Sequence, residues 1–417
     1  MLRVHQYTLV DPLRGDGHSD LYRGHRNDDL LPVLVEVLVD EYPSSTQLAR
    51  LRHEYAIEKE LGIAGVLAPI GLEELGHGLV LVWADPGGVP LRSLLRSGPV
   101  PLALALQIAA SLAVTLAQVH ARGVIHKDIN PDNVLVDVET RRTYLIGFGR
   151  ALRLSHETPL MTSPGALEGT LAYLSPEQTG RMNRIVDRRS DLYSLGVVLY
   201  ELFTGALPFV TNDVMELLYS HLVRRPESPH TRSPGLPLLV SDLVMKLLAK
   251  NAEDRYQHAR ALAEDLHECV DRLDPSGTLE SFPLARGDRH RGGELDLPQR
   301  LYGREAELRA LHRAWERVAA GGTELLLVRG YSGIGKSVLV HEIHKELTGA
   351  QGYFVAGKFD QLGRAVPYAA LAEAFREFVH LLLTEPEPEL ERFRTRLIAA
   401  LGDNAGSKAL EIGRAHV

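Results

Sequence analysis

The hydrophobic pattern of this chain is dominated by one stretch, Ser97–Ala121, which carries no Asp, Glu, Lys or Arg. Within it Gln107, Ser111, Thr115 and Gln118 recur at spacings of 4, 4 and 3, which sets them along one helical stripe. The spacing predicts a mostly buried helix with one wetter edge. A membrane span is the alternative on length alone, and the polar stripe argues against it. Residues 1–82 ahead of it read as strands and one helix, with Leu34–Leu38 (LVEVL) a strand and Leu51–Leu61 (LRHEYAIEKEL) the helix. Val80–Gly88 (VLVWADPGG) reads as a hinge between two substructures, and Val134–Val136 as a further short apolar run. Asp274–Arg300 is rich in Gly, Pro and charge without a sustained period, the pattern of a linker. Beyond it, Thr323–Val328 (TELLLV) predicts a short buried strand, Gly352–Asp360 a second strand and Pro367–Leu383 an amphipathic helix.

A length of 417 residues suggests two to three domains, and 45% hydrophobic with 24% charged residues fits ordinary globular ones. The net charge of −8 gives no reason to expect a nucleic acid or an anionic membrane as partner. The single Cys269 excludes an internal disulfide and suits a reducing, cytoplasmic setting. The opening MLRVHQYTLVDPLRGD has no apolar core of signal-peptide length. At the other end Glu411–Val417 (EIGRAHV) reads as the in-frame translation of a sequencing adapter and is set apart from the fold.

The chemistry centres on Val124–Val134 (VIHKDINPDNV). His126, Lys127 and Asp128, with Asn133 five residues after the Asp, have the layout H-R-D-x-x-x-x-N of a phosphotransfer loop. There the Asp meets the substrate hydroxyl and the Asn turns back to a metal on the nucleotide phosphates. Asp128 and Asn130 are the candidate catalytic residues, and Asn133 a candidate magnesium ligand. Asp11–Gly24 lies where such a fold carries its glycine-rich loop. Gly15 and Gly17 match its first two glycines only if Tyr22 takes the following Val position; an ordinary hairpin turn fits as well.

Two positions depart from the pattern. The strand Lys that pairs the phosphates and a helix Glu is replaced by Glu36, with Glu54 the matching helix residue. Two like charges about 4 Å apart there would repel by roughly 4 kcal/mol at an effective dielectric of about 20. A one-turn misalignment is the alternative, but Lys59 is the only Lys before the catalytic loop, and it sits on the helix. Where D-F-G is expected, Tyr144–Arg150 reads YLIGFGR, so Gly147 takes the place of the metal-binding Asp and offers no side-chain ligand. Ser175-Pro176-Glu177 matches A-P-E, and Arg255 and Asp191 fall where structural partners of the large lobe belong.

Gly330–Ser337 (GYSGIGKS) is a full match to G-x-x-x-x-G-K-[ST] between a strand pattern and a helix pattern. Backbone N–H groups of such a loop wrap phosphates at a helix N-terminus. Gly330, Gly333, Gly335, Lys336 and Ser337 are therefore candidate ATP-binding residues, with Ser337 also a magnesium ligand. No convincing Walker-B strand follows. His341 and His344, three apart on the same helix with no third ligand, read as a solvated face rather than a metal site.

The order of these pieces resembles the N-terminal part of a bacterial multidomain signalling family: a serine/threonine protein kinase, then a STAND-type AAA ATPase, then usually a GAF sensor and a histidine kinase. HEY at 53–55, HKDINPDN at 126–133, EGTLAYLSPEQTGRMNR at 168–184, NAEDRYQ at 251–257, LYGRE at 301–305, GYSGIGKS at 330–337 and GKFDQ at 357–361 carry the resemblance. It implies an α+β two-lobed protein-kinase fold followed by a truncated α/β P-loop NTPase domain, with ATP and Mg2+ as cofactors. The divisions are 1–88 small lobe, 89–272 large lobe, 273–300 linker and 301–410 ATPase domain. It implies protein partners or substrates, and sensor and histidine-kinase domains that have no counterpart in this chain. Asp128 would be the catalytic base, while Glu36 and Gly147 break the family pattern. Each loss should cost several kcal/mol, and each 1.36 kcal/mol is tenfold in rate. An impaired, regulatory kinase-like domain joined to a P-loop module is therefore the expectation, with an active kinase the alternative.

Overall fold

The computed structural model describes residues 2–284 except positions 5, 16, 212, 276 and the stretches 154–169 and 180–185, then 304–330 with 336, 339, 340, 355, 371, 374, 375, 378 and 393–395. Two compact units result, Met1–Asp296 and Leu297–Val417.

The first unit opens with β1 (Leu2–Val4), β2 (Tyr7–Gly15), β3 (Ser19–Arg26), β4 (Pro32–Leu38), helix α1 (Ser45–Leu61), β5 (Pro69–Leu75) and β6 (Gly78–Ala84). The strands form one antiparallel sheet in the order β1-β2-β3-β4-β6-β5. Strand alternation divides its apolar residues. Leu21, Leu34, Leu81 and Trp83 pack with Leu51 of α1, and Val33, Val35, Val80 and Val82 with Tyr7 and Leu9. Helix α1 starts six residues before the expected Leu51. Ser44 and Gln47 form a capping box, in which the Ser44 hydroxyl accepts the Gln47 backbone N–H and the Gln47 side-chain Oε1 accepts the Ser44 backbone N–H. That S-x-x-Q signal was present in the sequence.

The large lobe follows: β7 (Val89–Pro90), α2 (Leu91–Ser97), α3 (Leu102–Ala121), β8 (Val124–Ile125), β9 (Val134–Asp137), β10 (Arg142–Leu145), β11 (Leu152–Arg153), α4 (Arg188–Thr204), α5 (Val214–Leu222), α6 (Pro229–Arg232), α7 (Leu238–Leu247) and α8 (Ala259–Arg272). Helix α3 is long and apolar enough to cross a membrane by length and composition, but its Leu106, Ile108, Leu112, Leu116 and Val119 are buried in the core of this lobe. Of its polar stripe, Gln118 is exposed and Gln107 and Ser111 half-buried; Thr115 departs, covered by the Gly65 turn. Helices α4 and α7 pack where a Cβ on Gly196 would lie 2.7 Å from the Leu247 Cβ. Gly196→Ala is expected to cost about 1–3 kcal/mol through overpacking. Urea unfolding of the kinase-fold unit measures it, and an unchanged midpoint would contradict the close crossing.

The linker does not begin as a free segment. Leu279, Phe282 and Leu284 pack onto the large-lobe core, and the Arg272 guanidinium sits 5.2 Å from the Phe282 ring centre.

In the second unit α9 (Glu305–Ala319) leads into residues 322–330, which form no strand, contrary to expectation. Leu325 is 96% exposed. A strand hides its apolar faces only when neighbours cover them, and among the described residues none pairs with 323–328. Lys336, Leu339 and Val340 are helical, as are Leu371, Ala374, Phe375 and Phe378 within the expected amphipathic helix. Gly333, Gly335, Ser337, His341, His344, Glu411–Val417 and, except for Val355, Gly352–Asp360 lie outside the described residues.

Candidate functional site

The catalytic-type loop is held from below by α4. Asp191 accepts the backbone N–H groups of His126 and Lys127 at 2.8 Å each, and lies 2.8 Å from His120 Nε2. Those contacts hold Lys127 at φ 67, a left-handed conformation uncommon outside glycine. The buried His126 ring donates from Nε2 to the Ile146 carbonyl at 3.0 Å, which leaves Nδ1 to accept the Asp128 N–H at 3.2 Å. Burial pushes the His126 pKa down, in keeping with a ring nitrogen that accepts a hydrogen bond. It tilts against Phe148 with ring centres 4.5 Å apart, joining the catalytic loop to the G-F-G segment.

Asp128 is engaged on both carboxylate oxygens. Arg150 Nη1 lies 2.9 Å from Oδ2, while Asn130 Nδ2 and the Thr170 hydroxyl donate to Oδ1 at 3.1 and 3.2 Å. Asn130 is structural as well, since its side-chain oxygen caps the N–H groups of Asp132 and Asn133. The Asn133 amide donates to the Asp128 carbonyl at 2.9 Å. Its oxygen accepts from the Arg14 guanidinium.

Arg14 changes the charge picture expected for Glu36. Glu36 lies on β4 where the strand Lys was expected, 5% exposed. Arg14 Nη2 reaches its Oε2 at 3.1 Å, and the Ser19 hydroxyl donates to Oε1 at 2.5 Å. The anticipated repulsion of Glu36 and Glu54 is therefore offset in part by a cation from β2. Glu54 accepts the Gly147 N–H at 2.9 Å instead of pairing with a strand cation. Burial, then the nearby Glu36 charge, push its pKa up to about 8, against which Arg14 acts. Glu58, one turn along, accepts the Trp83 N–H at 2.7 Å, and its pKa is raised by burial and then by Glu54.

Gly147 has φ 86, and a Cβ there would lie 2.6 Å from the Asn133 side chain. These residues do not fit a magnesium ion. Position 147 supplies no ligand, and the Asn133 oxygen faces a guanidinium. Gly15 ends β2 opposite Asp20, and Gly17 has φ 82 in the turn to β3. The glycines thus form the tip of a hairpin in the small lobe. Arg14, Ser19 and Arg150 were not singled out in the sequence. Only the strand register, which aligns Arg14 with Glu36, could have revealed the first.

Distant structural matches are in place. Arg255 Nη1 lies 2.7 Å from Glu177, with their side chains 0% and 3% exposed. In the second unit Lys336 Nζ donates to the Gly330 carbonyl at 2.9 Å. It borders a cavity of about 260 Å³ with Arg304, Leu311, Leu327 and Leu339.

A two-lobed fold with this catalytic-loop frame defines a protein kinase domain. The protein kinase domain family matches residues 15–266, and the chain belongs to that family. An AAA ATPase domain follows, matched over residues 300–416. The chain is 37% identical over 274 residues to the serine/threonine-protein kinase PknB of Mycobacterium leprae, covering 63% of this chain and 42% of that protein. It is 34% identical over 304 residues to the DNA damage-responsive serine/threonine-protein kinase RqkA of Deinococcus radiodurans, covering 71% and 44%. It is 36% identical over 258 residues to the hybrid signal transduction histidine kinase G of Dictyostelium discoideum, covering 56% and 7%. The chain thus spans less than half the length of each of these relatives.

Proposed function

We propose that the kinase-fold domain is impaired in phosphoryl transfer and acts as a regulatory docking module, while the P-loop module carries metal-dependent ATP binding. The observation that carries this reading is the metal position: glycine at 147, and an Asn133 oxygen turned to Arg14. Phosphoryl transfer relies on positioning and on cations that neutralise the developing charge. The Asp128 carboxylate is also paired with Arg150, which occupies one of the oxygens a substrate hydroxyl would approach. In the second unit Lys336 and Ser337 would hold nucleotide phosphates and magnesium in the manner of P-loop domains. Partners would be proteins, in keeping with a signalling chain whose relatives include a hybrid histidine kinase. Sensor and histidine-kinase domains on the same polypeptide belong to this reading.

The competing reading is an active serine/threonine kinase with Asp128 as base, favoured by the intact contacts of Asp191 and of Glu177 with Arg255. Transfer of labelled γ-phosphate to the chain itself and to a generic protein substrate separates the two. The expected result is incorporation at background, the same for Asp128→Ala. Incorporation that Asp128→Ala abolishes would sink the proposal. Restoring the family residues with Glu36→Lys and Gly147→Asp is expected to fall short of full activity. The new Asp must displace the Asn133 amide from Asp128 and Arg14.

A further inference from the structure

The sheet register places Arg14 opposite Leu21, and Leu21 opposite Glu36. Residues directly across antiparallel strands share a face, so Arg14 and Glu36 occupy one row on the side of the sheet turned to the catalytic loop. The cation missing from β4 therefore reappears two strands away, on the same face. Its guanidinium spans both lobes. Nη2 meets Glu36, while Nη1 meets the Asn133 side-chain oxygen and, at 3.3 Å, the Asp132 carbonyl. With side chains only 10% and 6% exposed, Arg14 and Glu36 form a built pair rather than a surface contact.

We infer that Arg14 stands in for both the strand lysine and the magnesium ion, so that this cleft takes a nucleoside polyphosphate in its metal-free form. Arginine suits the role because its planar fork binds phosphate oxygens and remains charged at every relevant pH. A guanidinium bonded to Asn133 puts fixed positive charge where the metal would sit. A magnesium-bound nucleotide would bring a second cation against it, with Gly147 offering no ligand. Magnesium should then compete with the cleft for the phosphates rather than assist binding. The inference rests on the reading that this cleft lacks metal-assisted transfer, but concerns binding, which the phosphate-incorporation assay does not measure.

The test uses the full chain carrying Trp315→Phe and Lys336→Ala. The first change leaves Trp83, in the small-lobe sheet, as the only indole; the second weakens the P-loop. ADP is titrated by tryptophan fluorescence in EDTA and again with excess Mg2+. Saturable binding is expected in EDTA, unchanged or weaker with Mg2+. Arg14→Ala should weaken it at least tenfold, Arg14→Lys less. Glu36→Gln, which removes the ion pair but keeps the Arg14 charge, should leave the affinity unchanged or higher, which separates phosphate binding from a merely structural ion pair. A tenfold gain with Mg2+, unaltered affinity in Arg14→Ala, or no saturable binding in EDTA would each overturn the inference. Asp128-dependent phosphate incorporation would instead overturn the proposed function.

Discussion

Replacing Glu177 with alanine is expected to lower the unfolding free energy of the kinase-fold unit by about 3–5 kcal/mol. The Arg255 guanidinium is fully buried and donates to Glu177 at 2.7 and 3.2 Å. Its remaining hydrogen-bond partners are the carbonyls of Ala249, Lys250 and Arg189, at 2.7, 3.0 and 2.9 Å, and it lies 4.8 Å from the Tyr193 ring centre. Those neutral oxygens satisfy its geometry but not its charge. Removing the carboxylate leaves a cation in a site closed to water, and that desolvation cost exceeds the value of the lost hydrogen bonds. Urea unfolding monitored by Trp83 fluorescence in the Trp315→Phe background measures the change, and Glu177→Gln should lose less because an oxygen acceptor remains. A loss below about 1 kcal/mol for the alanine variant would mean that water reaches Arg255.

The second large effect is a fall in stability as pH rises. Glu54 titrates near its ordinary value of 4.5 when unfolded and at about 8 when folded. Between those values the folded state holds more protons. Its contribution is therefore complete below about pH 4.5 and is lost as pH climbs through 8. The slope is at most about 1.4 kcal/mol per pH unit for this one group. Glu58 shifts in the same direction and reinforces it. Glu36 faces Glu54 as a like charge, and Arg14 opposes the effect. Melting temperature recorded from pH 5 to 9 should therefore decline, and Glu54→Gln should flatten the decline while retaining an acceptor for the Gly147 N–H. A variant that declines as steeply as the parent would remove Glu54 from the explanation.

Much of this site is legible in the sequence because its parts are local. The spacing from His126 to Asn133, the missing Asp at 147 and the Glu at 36 can be read without coordinates. So can the positions of Glu177, Arg255 and Asp191, whose contacts the fold supplies. The identity of the compensating cation could not be read. Arg14 and Glu36 are 22 residues apart, and a β-bulge between Pro12 and Arg14 helps set which face the arginine occupies. A one-residue slip in register would reverse that choice. The early start of α1 was a missed local signal. The strand expected at 323–328 is missing for the opposite reason, since an apolar run becomes a strand only when other chain segments pair with it, and among the described residues none does.

The short stretch after α8 also bears on where this domain can be cut. Phe282 is 6% exposed beneath Arg272 and on the core of the large lobe. A fragment ending at residue 272 would strip that ring away and open an oily scar on the lobe. Extending it to residue 284 keeps the plug in its socket, well inside what reads, by composition, as a tether.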